Sequence, residues 1–159
     1  MKRKKVLFIC SGNTCRSPMA EVIFRAEIKR RKIKYVDSTS AGIFAQNSTC
    51  ISENSALCLT DLGLDYSKFH PRQLKHKMIE TCFIAVCMTR SQSELLNSFG
   101  NVYAMEDIAG FSVPDPYGQS LAAYKETARL LQIAAGKIIE KFFSENESEQ
   151  KTAPKEGEE

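Results

Sequence analysis

The chain's 159 residues suffice for one domain with a sizeable core, and 43% hydrophobic with 26% charged residues excludes a fibrous, collagenous or wholly disordered protein. Net charge is +3, but the segment SENESEQKTAPKEGEE from Ser144 holds six Glu against two Lys, leaving the remainder at about +7. A moderately basic body suits an anionic ligand, and charge alone does not choose between phosphate, nucleic acid and an acidic partner.

The chain opens MKRKKVLFIC, a basic cluster followed by an apolar run. That run, Val6–Cys10, is too short for a signal peptide, and Gly12, Asn13 and Arg16 interrupt the residues after it. No stretch reaches the roughly 20 apolar residues of a membrane span, so the expectation is a cytoplasmic protein whose six cysteines are thiols. Continuous apolar character over Val6–Cys10 predicts a strand buried on both faces, as in parallel sheets. Ser17-Pro18 reads as a helix start, with serine at the cap and proline in the first helical position. Met19, Ala20, Ile23, Phe24 and Ile28 carry that helix to about Lys32.

Tyr35–Ser40 is the second expected strand, ending at Ala41-Gly42. Helices are predicted over Ser52–Leu62, stopped by Gly63, and over Pro71–Glu80. Cys82–Met88 (CFIAVCM) is the strongest apolar run and predicts a central strand. A helix over Ser91–Ser98, stopped by Gly100, precedes a weak last strand at Val102–Ala104. In the final helix Leu121, Tyr124, Ala128, Leu131, Ala135, Ile138 and Phe142 share one face, a stripe that belongs to the core. No internal repeat is present. Strands alternating with helices imply right-handed crossovers and an open parallel sheet covered on both sides. The segment 144–159 has no periodicity and is expected to be a disordered acidic tail behind a folded domain over 1–143.

Ligands of such sheets bind beyond the carboxyl ends of the strands. After the first strand that position is held by Cys10-Ser11-Gly12-Asn13-Thr14-Cys15-Arg16-Ser17. It is neither a Walker loop nor a dinucleotide fingerprint, lacking Gly-Lys-Thr and G-x-G-x-x-G. A short loop with Gly and Asn can visit left-handed conformations that turn successive N–H groups inward as an anion nest. The adjoining helix adds its positive dipole end, and Arg16 can clamp two phosphate oxygens with its planar fork. Cys10 sits at the bottom, where these features and the Ser17 hydroxyl favour the nucleophilic thiolate. The bland alternative, a buried strand-end cysteine beside a solvated arginine, does not account for the whole string Cys-x5-Arg-Ser-Pro between strand and helix.

Phosphoryl transfer also needs a proton donor for the leaving group. Val113-Pro114-Asp115-Pro116-Tyr117-Gly118 is stiffened by two prolines, and a rigidly presented carboxyl can serve as general acid and then as base. Asp115 is the first candidate and Asp107 the reserve. Cysteine spacing gives C-x4-C twice, without the C-x2-C pairs of a zinc ribbon, and only His70 and His76 could assist. No metal site is expected.

The string Val-Leu-Phe-Ile-Cys-Ser-Gly-Asn-Thr-Cys-Arg-Ser-Pro-Met-Ala-Glu (6–21), Ser40-Ala41-Gly42 and Asp115-Pro116-Tyr117 resemble the low-molecular-weight protein tyrosine phosphatases. The resemblance spans about Lys5–Phe143. It implies a Rossmann-like three-layer α/β/α sandwich on a four-stranded parallel sheet, a phosphocysteine intermediate, and no metal or other cofactor. It assigns Cys10 as nucleophile, Arg16 as clamp and Asp115 as acid and base, with Ser11, Gly12, Asn13, Thr14, Cys15 and Ser17 around the phosphate. Asn13, Ser17 and Ser40 become the hydrogen-bond support of the loop, and Cys15 the neighbour able to form a protective disulfide with Cys10. Many members carry histidine where Phe69 stands, so that support is altered here, with His70 adjacent.

Within the family, Thr14 resembles the bacterial protein arginine phosphatases, where tyrosine-directed members usually have an aliphatic residue. Ser40-Ala41-Gly42-Ile43-Phe44-Ala45 and Asp115-Pro116-Tyr117-Gly118-Gln119-Ser120 resemble the same branch. The expected activity is hydrolysis of phosphorylated protein side chains by a monomer, phosphoarginine ahead of phosphotyrosine. Thr14, Phe44 and Tyr117 are the expected substrate-pocket residues, although either ring could be an ordinary partly buried aromatic. Two rivals remain. A thiol-dependent arsenate reductase has a second thiol near Cys87, but its third is missing from Ser91-Gln92-Ser93-Glu94. A non-catalytic phosphate- or nucleic-acid-binding module needs neither Cys10 nor Asp115; no nucleic-acid or membrane partner is expected.

Overall fold

The computed structural model describes residues 2–144, so the tail expected over 144–159 lies outside the described residues except for Ser144. In chain order the elements are β1 (Lys4–Cys10), α1 (Arg16–Arg30), β2 (Val36–Gly42), α2 (Glu53–Asp61), α3 (His76–Thr81), β3 (Ile84–Cys87), α4 (Arg90–Glu94), β4 (Val102–Ala104), α5 (Met105–Ala109) and α6 (Leu121–Phe142). The four strands form one sheet in the order β2-β1-β3-β4, parallel throughout.

The apolar run of β1 splits by the two-residue period of a strand. Val6, Phe8 and Cys10 face a core shared with α1 and α6, while Leu7 and Ile9 face a smaller one with Ile79, Ala85 and Leu96. The expected final helix is α6, whose Leu131, Ile138 and Ile139 are fully buried, each contributing about 1.5–3 kcal/mol. Ser120 caps it by accepting from Ala123 N. The chain passes from β1 through α1 to β2 on one side of the sheet, then crosses back to β3 on the other side of β1. The carboxyl end of β1 is therefore a topological switch point, where two outgoing loops diverge and leave a crevice. Among the described residues, no helix is long and apolar enough to cross a membrane.

Several boundaries depart from the expectation. α1 begins at Arg16 with Cys15 in the cap position and no side-chain cap bond. Ser17 does not cap because its hydroxyl is engaged inside the loop, and Pro18 falls at the third helical residue, where no N–H is yet required. The helix ends at Arg30, not Lys32. Lys32 takes a left-handed turn at φ 61°, with Ile33 N donating to Ile28 O and Lys32 N to Lys29 O. That is a Schellman closure made without glycine.

Residues 71–75 are not helical. Gly42 N donates to Arg72 O and Leu74 N to Gly42 O, so this segment extends the edge of β2 and leaves a helix only over His76–Thr81. The expected strand Cys82–Met88 is confined to Ile84–Cys87, and the helix Ser91–Ser98 shortens to Arg90–Glu94. Gly42 permits close approach: a Cβ there would stand 2.6 Å from Ser11 O and 2.8 Å from Asn13 N.

Candidate active site

β1 delivers Cys10 to the crevice, and the chain then turns through Ser11–Cys15 before α1 begins. Asn13 makes the turn possible with φ 55°, a left-handed value that asparagine tolerates better than most residues. Among the described residues, none of the backbone N–H groups of Ser11–Cys15 donates to a protein acceptor. The loop's carbonyls, by contrast, are engaged. Cys10 O accepts from Ile43 N (2.9 Å), Ser11 O from Phe44 N (2.8 Å) and Gly12 O from Ser48 Oγ (2.7 Å). Thr14 O accepts from Ser52 N (2.9 Å) and Cys15 O from Ser55 Oγ (3.3 Å). A loop whose carbonyls are tied outward and whose donors remain open is a built anion nest.

Side chains fix its interior. Ser17 Oγ lies 2.8 Å from Cys10 Sγ, and Asn13 Nδ2 donates to the same Oγ at 2.8 Å. With that donation made, the serine proton is left to point at the sulfur. Asn13 Nδ2 also donates to Ser40 Oγ (3.0 Å), Asn13 Oδ1 accepts from Arg72 N (2.8 Å), and Ser40 Oγ donates to Glu21 Oε1 (2.8 Å). Glu21 is buried, with Arg25 at 3.4 Å and Arg72 at 3.5 Å. A buried relay thus runs from Glu21 through Ser40 and Asn13 to Ser17 and Cys10. The family resemblance puts loop support at Phe69, but here it comes from the backbone of Arg72, while His70 is exposed.

Glu21, Arg72, Ser48 and Gln92 are functional neighbours that sequence reasoning missed. Gln92 donates from Nε2 to Ser11 Oγ at 3.2 Å and accepts from Thr89 N. Only Glu21 left a signal, a carboxylate set within the apolar run of α1 with arginine four residues on. Asn13→Ala removes three hydrogen bonds, two of them buried, and the residue's tolerance of the turn. It is expected to lower unfolding free energy by about 2–4 kcal/mol, read from urea midpoints. A loss below about 1 kcal/mol would mean that the loop is not held by this amide.

Arg16 is 4% exposed; its Nη1 donates to Val113 O (3.1 Å), and its Nη2 lies 3.7 Å from Asp115 Oδ2. Asp115 stays half exposed, its Oδ1 accepting from Tyr117 N (3.1 Å), so the carboxylate is aimed by its own turn. Cys10, Ser11, Gly12, Thr14, Cys15, Arg16, Asp115 and Tyr117 line one cavity of about 170 Å³. Phe44 does not line it; this exposed ring borders a neighbouring groove. Asp107, the reserve acid, sits on the surface in an ion pair with Arg90 that holds its carboxyl below the usual range.

Cys15 Sγ meets Tyr124 Oη at 3.4 Å; burial first, then that contact, pushes the phenol up to about 12. Burial pushes the Cys87 thiol up to about 12 as well, leaving it inert beneath the loop. A hollow of about 380 Å³ at the opposite end of the sheet, lined by residues such as Arg3, Lys29 and Lys34, is larger but offers no nucleophile. Among the described residues, no three His, Cys, Asp or Glu side chains cluster as metal ligands.

A thiol floored into an anion nest at the switch point of a parallel sheet, with guanidinium and carboxylate converging on it, defines a cysteine-dependent phosphatase. The sequence model described as low molecular weight phosphotyrosine protein phosphatase matches residues 5–149. The low molecular weight protein-tyrosine-phosphatase Ptp of Acinetobacter johnsonii is 28% identical over 137 residues, 83% of this chain and 93% of that protein. The protein-arginine-phosphatase of Bacillus subtilis is 29% identical over 130 residues, 77% of this chain and 85% of that protein. The crystal structure of a low molecular weight protein tyrosine phosphatase from T. tengcongensis superposes with a TM-score of 0.81 at 34% identity, covering 87% of this chain and 99% of that one. The chain belongs to the low molecular weight protein tyrosine phosphatase family.

Proposed function

We propose that this chain is a cytoplasmic protein phosphatase that hydrolyses phosphoarginine in preference to phosphotyrosine through a phosphocysteine on Cys10. The observation that carries the reading is the 2.8 Å contact of Ser17 Oγ with Cys10 Sγ inside a loop whose N–H groups are open. The thiolate attacks phosphorus in line while the loop donors and Arg16 hold the three equatorial oxygens. The bond from phosphorus to the leaving atom breaks as Asp115 delivers its proton there. Asp115 then takes a proton from the water that attacks the phosphocysteine, releasing inorganic phosphate and restoring the thiolate. No cofactor enters either step. We assign catalysis to residues 1–143 and expect a monomer in solution.

Substrate preference rests on Thr14. Its side chain lines the cavity, with Oγ1 3.7 Å from Cys15 Sγ and beside Gly12. A hydroxyl there accepts from a guanidinium N–H, whereas an aliphatic arm prefers a phenol ring. A phosphotyrosine preference is the second reading, favoured by the exposed Tyr117 ring on the cavity wall. The test is kcat/KM for phosphoarginine against phosphotyrosine. Thr14→Ile is expected to move that ratio at least about tenfold toward phosphotyrosine. An unchanged ratio would remove the basis for the preference.

A further inference from the structure

Next to the phosphate cup lies a second concavity of about 530 Å³, lined by Ile43, Phe44, Gln46, Asn47, Ser48 and Gln73. Its lining is polar yet carries no charge, in contrast to the cation-rimmed hollow at the far end of the sheet. Its wall is registered to the cup through three consecutive carbonyls, since Ile43 N, Phe44 N and Ser48 Oγ donate to Cys10, Ser11 and Gly12. Gln73 stiffens the same wall, accepting from Ala45 N at 2.7 Å and donating to Ile43 O at 2.7 Å. The groove therefore cannot shift without the loop that holds Cys10.

Two features of this wall are unused by the fold. Gln46 and Asn47 are exposed, and among the described residues their amide groups have no partner. Phe44 is 77% exposed beside them. Uncharged amides offering both donors and acceptors match the backbone of an extended polypeptide, which presents one of each per residue. An exposed ring beside them suits an apolar side chain of the same segment. A free phosphate or a small anionic metabolite would gain little here, because among the described residues no cation lines the groove.

We propose that this groove is a subsite for the polypeptide segment flanking the phosphorylated residue, engaging its backbone through Gln46 and Asn47 and one apolar side chain through Phe44. The inference rests on the cup's being a protein phosphatase site and is indifferent to whether arginine or tyrosine bears the phosphate. It makes the enzyme selective for phosphorylated residues within a chain over the same residues free.

The test compares kcat/KM for p-nitrophenyl phosphate, for phosphotyrosine and phosphoarginine blocked at both ends, and for short peptides containing each. The unaltered enzyme is expected to favour the peptides at least about tenfold over the blocked residues, chiefly through KM. The Gln46→Ala, Asn47→Ala double variant is expected to lose most of that advantage while p-nitrophenyl phosphate turnover stays within about twofold. Peptides no better than blocked residues, or a peptide advantage untouched by the double variant, would overturn the subsite and leave the phosphatase reading intact. No turnover of any phosphorylated compound would instead sink the reading of the cup itself.

Discussion

Cys10→Ser is expected to reduce kcat by at least about four orders of magnitude while leaving the affinity for inorganic phosphate within a few-fold of the parent. The two halves of that expectation come from different atoms. Turnover needs a strong, polarisable nucleophile, and a serine hydroxyl at the floor of the cup is a weak one. Among the described residues no base is placed to activate it: the polar side-chain atom bonded to position 10 is Ser17 Oγ at 2.8 Å, itself a hydroxyl. Binding draws on the open N–H groups of Ser11–Cys15 and on Arg16, none of which the substitution touches. Calorimetric titration with phosphate and a steady-state assay check the halves separately. Residual turnover near the parental rate would remove Cys10 as the nucleophile. Loss of phosphate binding together with activity would mean that the sulfur shapes the loop rather than attacking from it.

A feature is legible in the sequence when the residues that specify it lie close together. β1 and α6 are readable because their periodicities lie within contiguous residues, a buried run of five and a stripe over six turns. Cys10, Arg16 and the open loop between them are readable for the same reason, since the nest and its clamp are built within seven residues. Residues 71–75 read as helix because Gln73-Leu74-Lys75-His76 has helical composition. Their backbone is instead captured by Gly42, thirty residues back, and no local preference announces that bond. Glu21, Ser40 and Arg72 are hidden similarly. Each is an ordinary polar residue until α1, β2 and the 71–74 segment meet, when burial makes Ser40, Arg25 and Arg72 the partners of Glu21. The misplaced cap at Ser17 is the instructive error. A serine before proline is a good helix cap in isolation, but here its hydroxyl is drawn to Cys10, and the helix starts uncapped on Arg16.

The second large effect is expected from Asp115→Asn, and its size should depend on what leaves. An amide in place of the carboxyl cannot deliver a proton, so the loss grows with the basicity of the leaving atom. An activated aryl phosphate expels a stable phenolate unaided and is expected to lose least. Phosphotyrosine, whose phenol titrates near about 10, should lose about 10²–10⁴-fold in kcat. Phosphoarginine should lose most, because a guanidine leaves phosphorus only when its nitrogen has been protonated, and no guanidine anion survives in water. The geometry supports this ordering. Asp115 is presented between two prolines, held by Tyr117 N, and reaches Arg16 Nη2 at 3.7 Å. Phosphate bound in the cup competes for that guanidinium and frees the carboxyl to face the leaving group. Asp107 offers no substitute, as Arg90 and the surface of α5 hold it away from the cavity. Plotting log kcat/KM against leaving-group pKa for parent and variant measures the dependence directly. A steeper slope for the variant identifies Asp115 as the acid, and parallel lines would place the proton donor elsewhere.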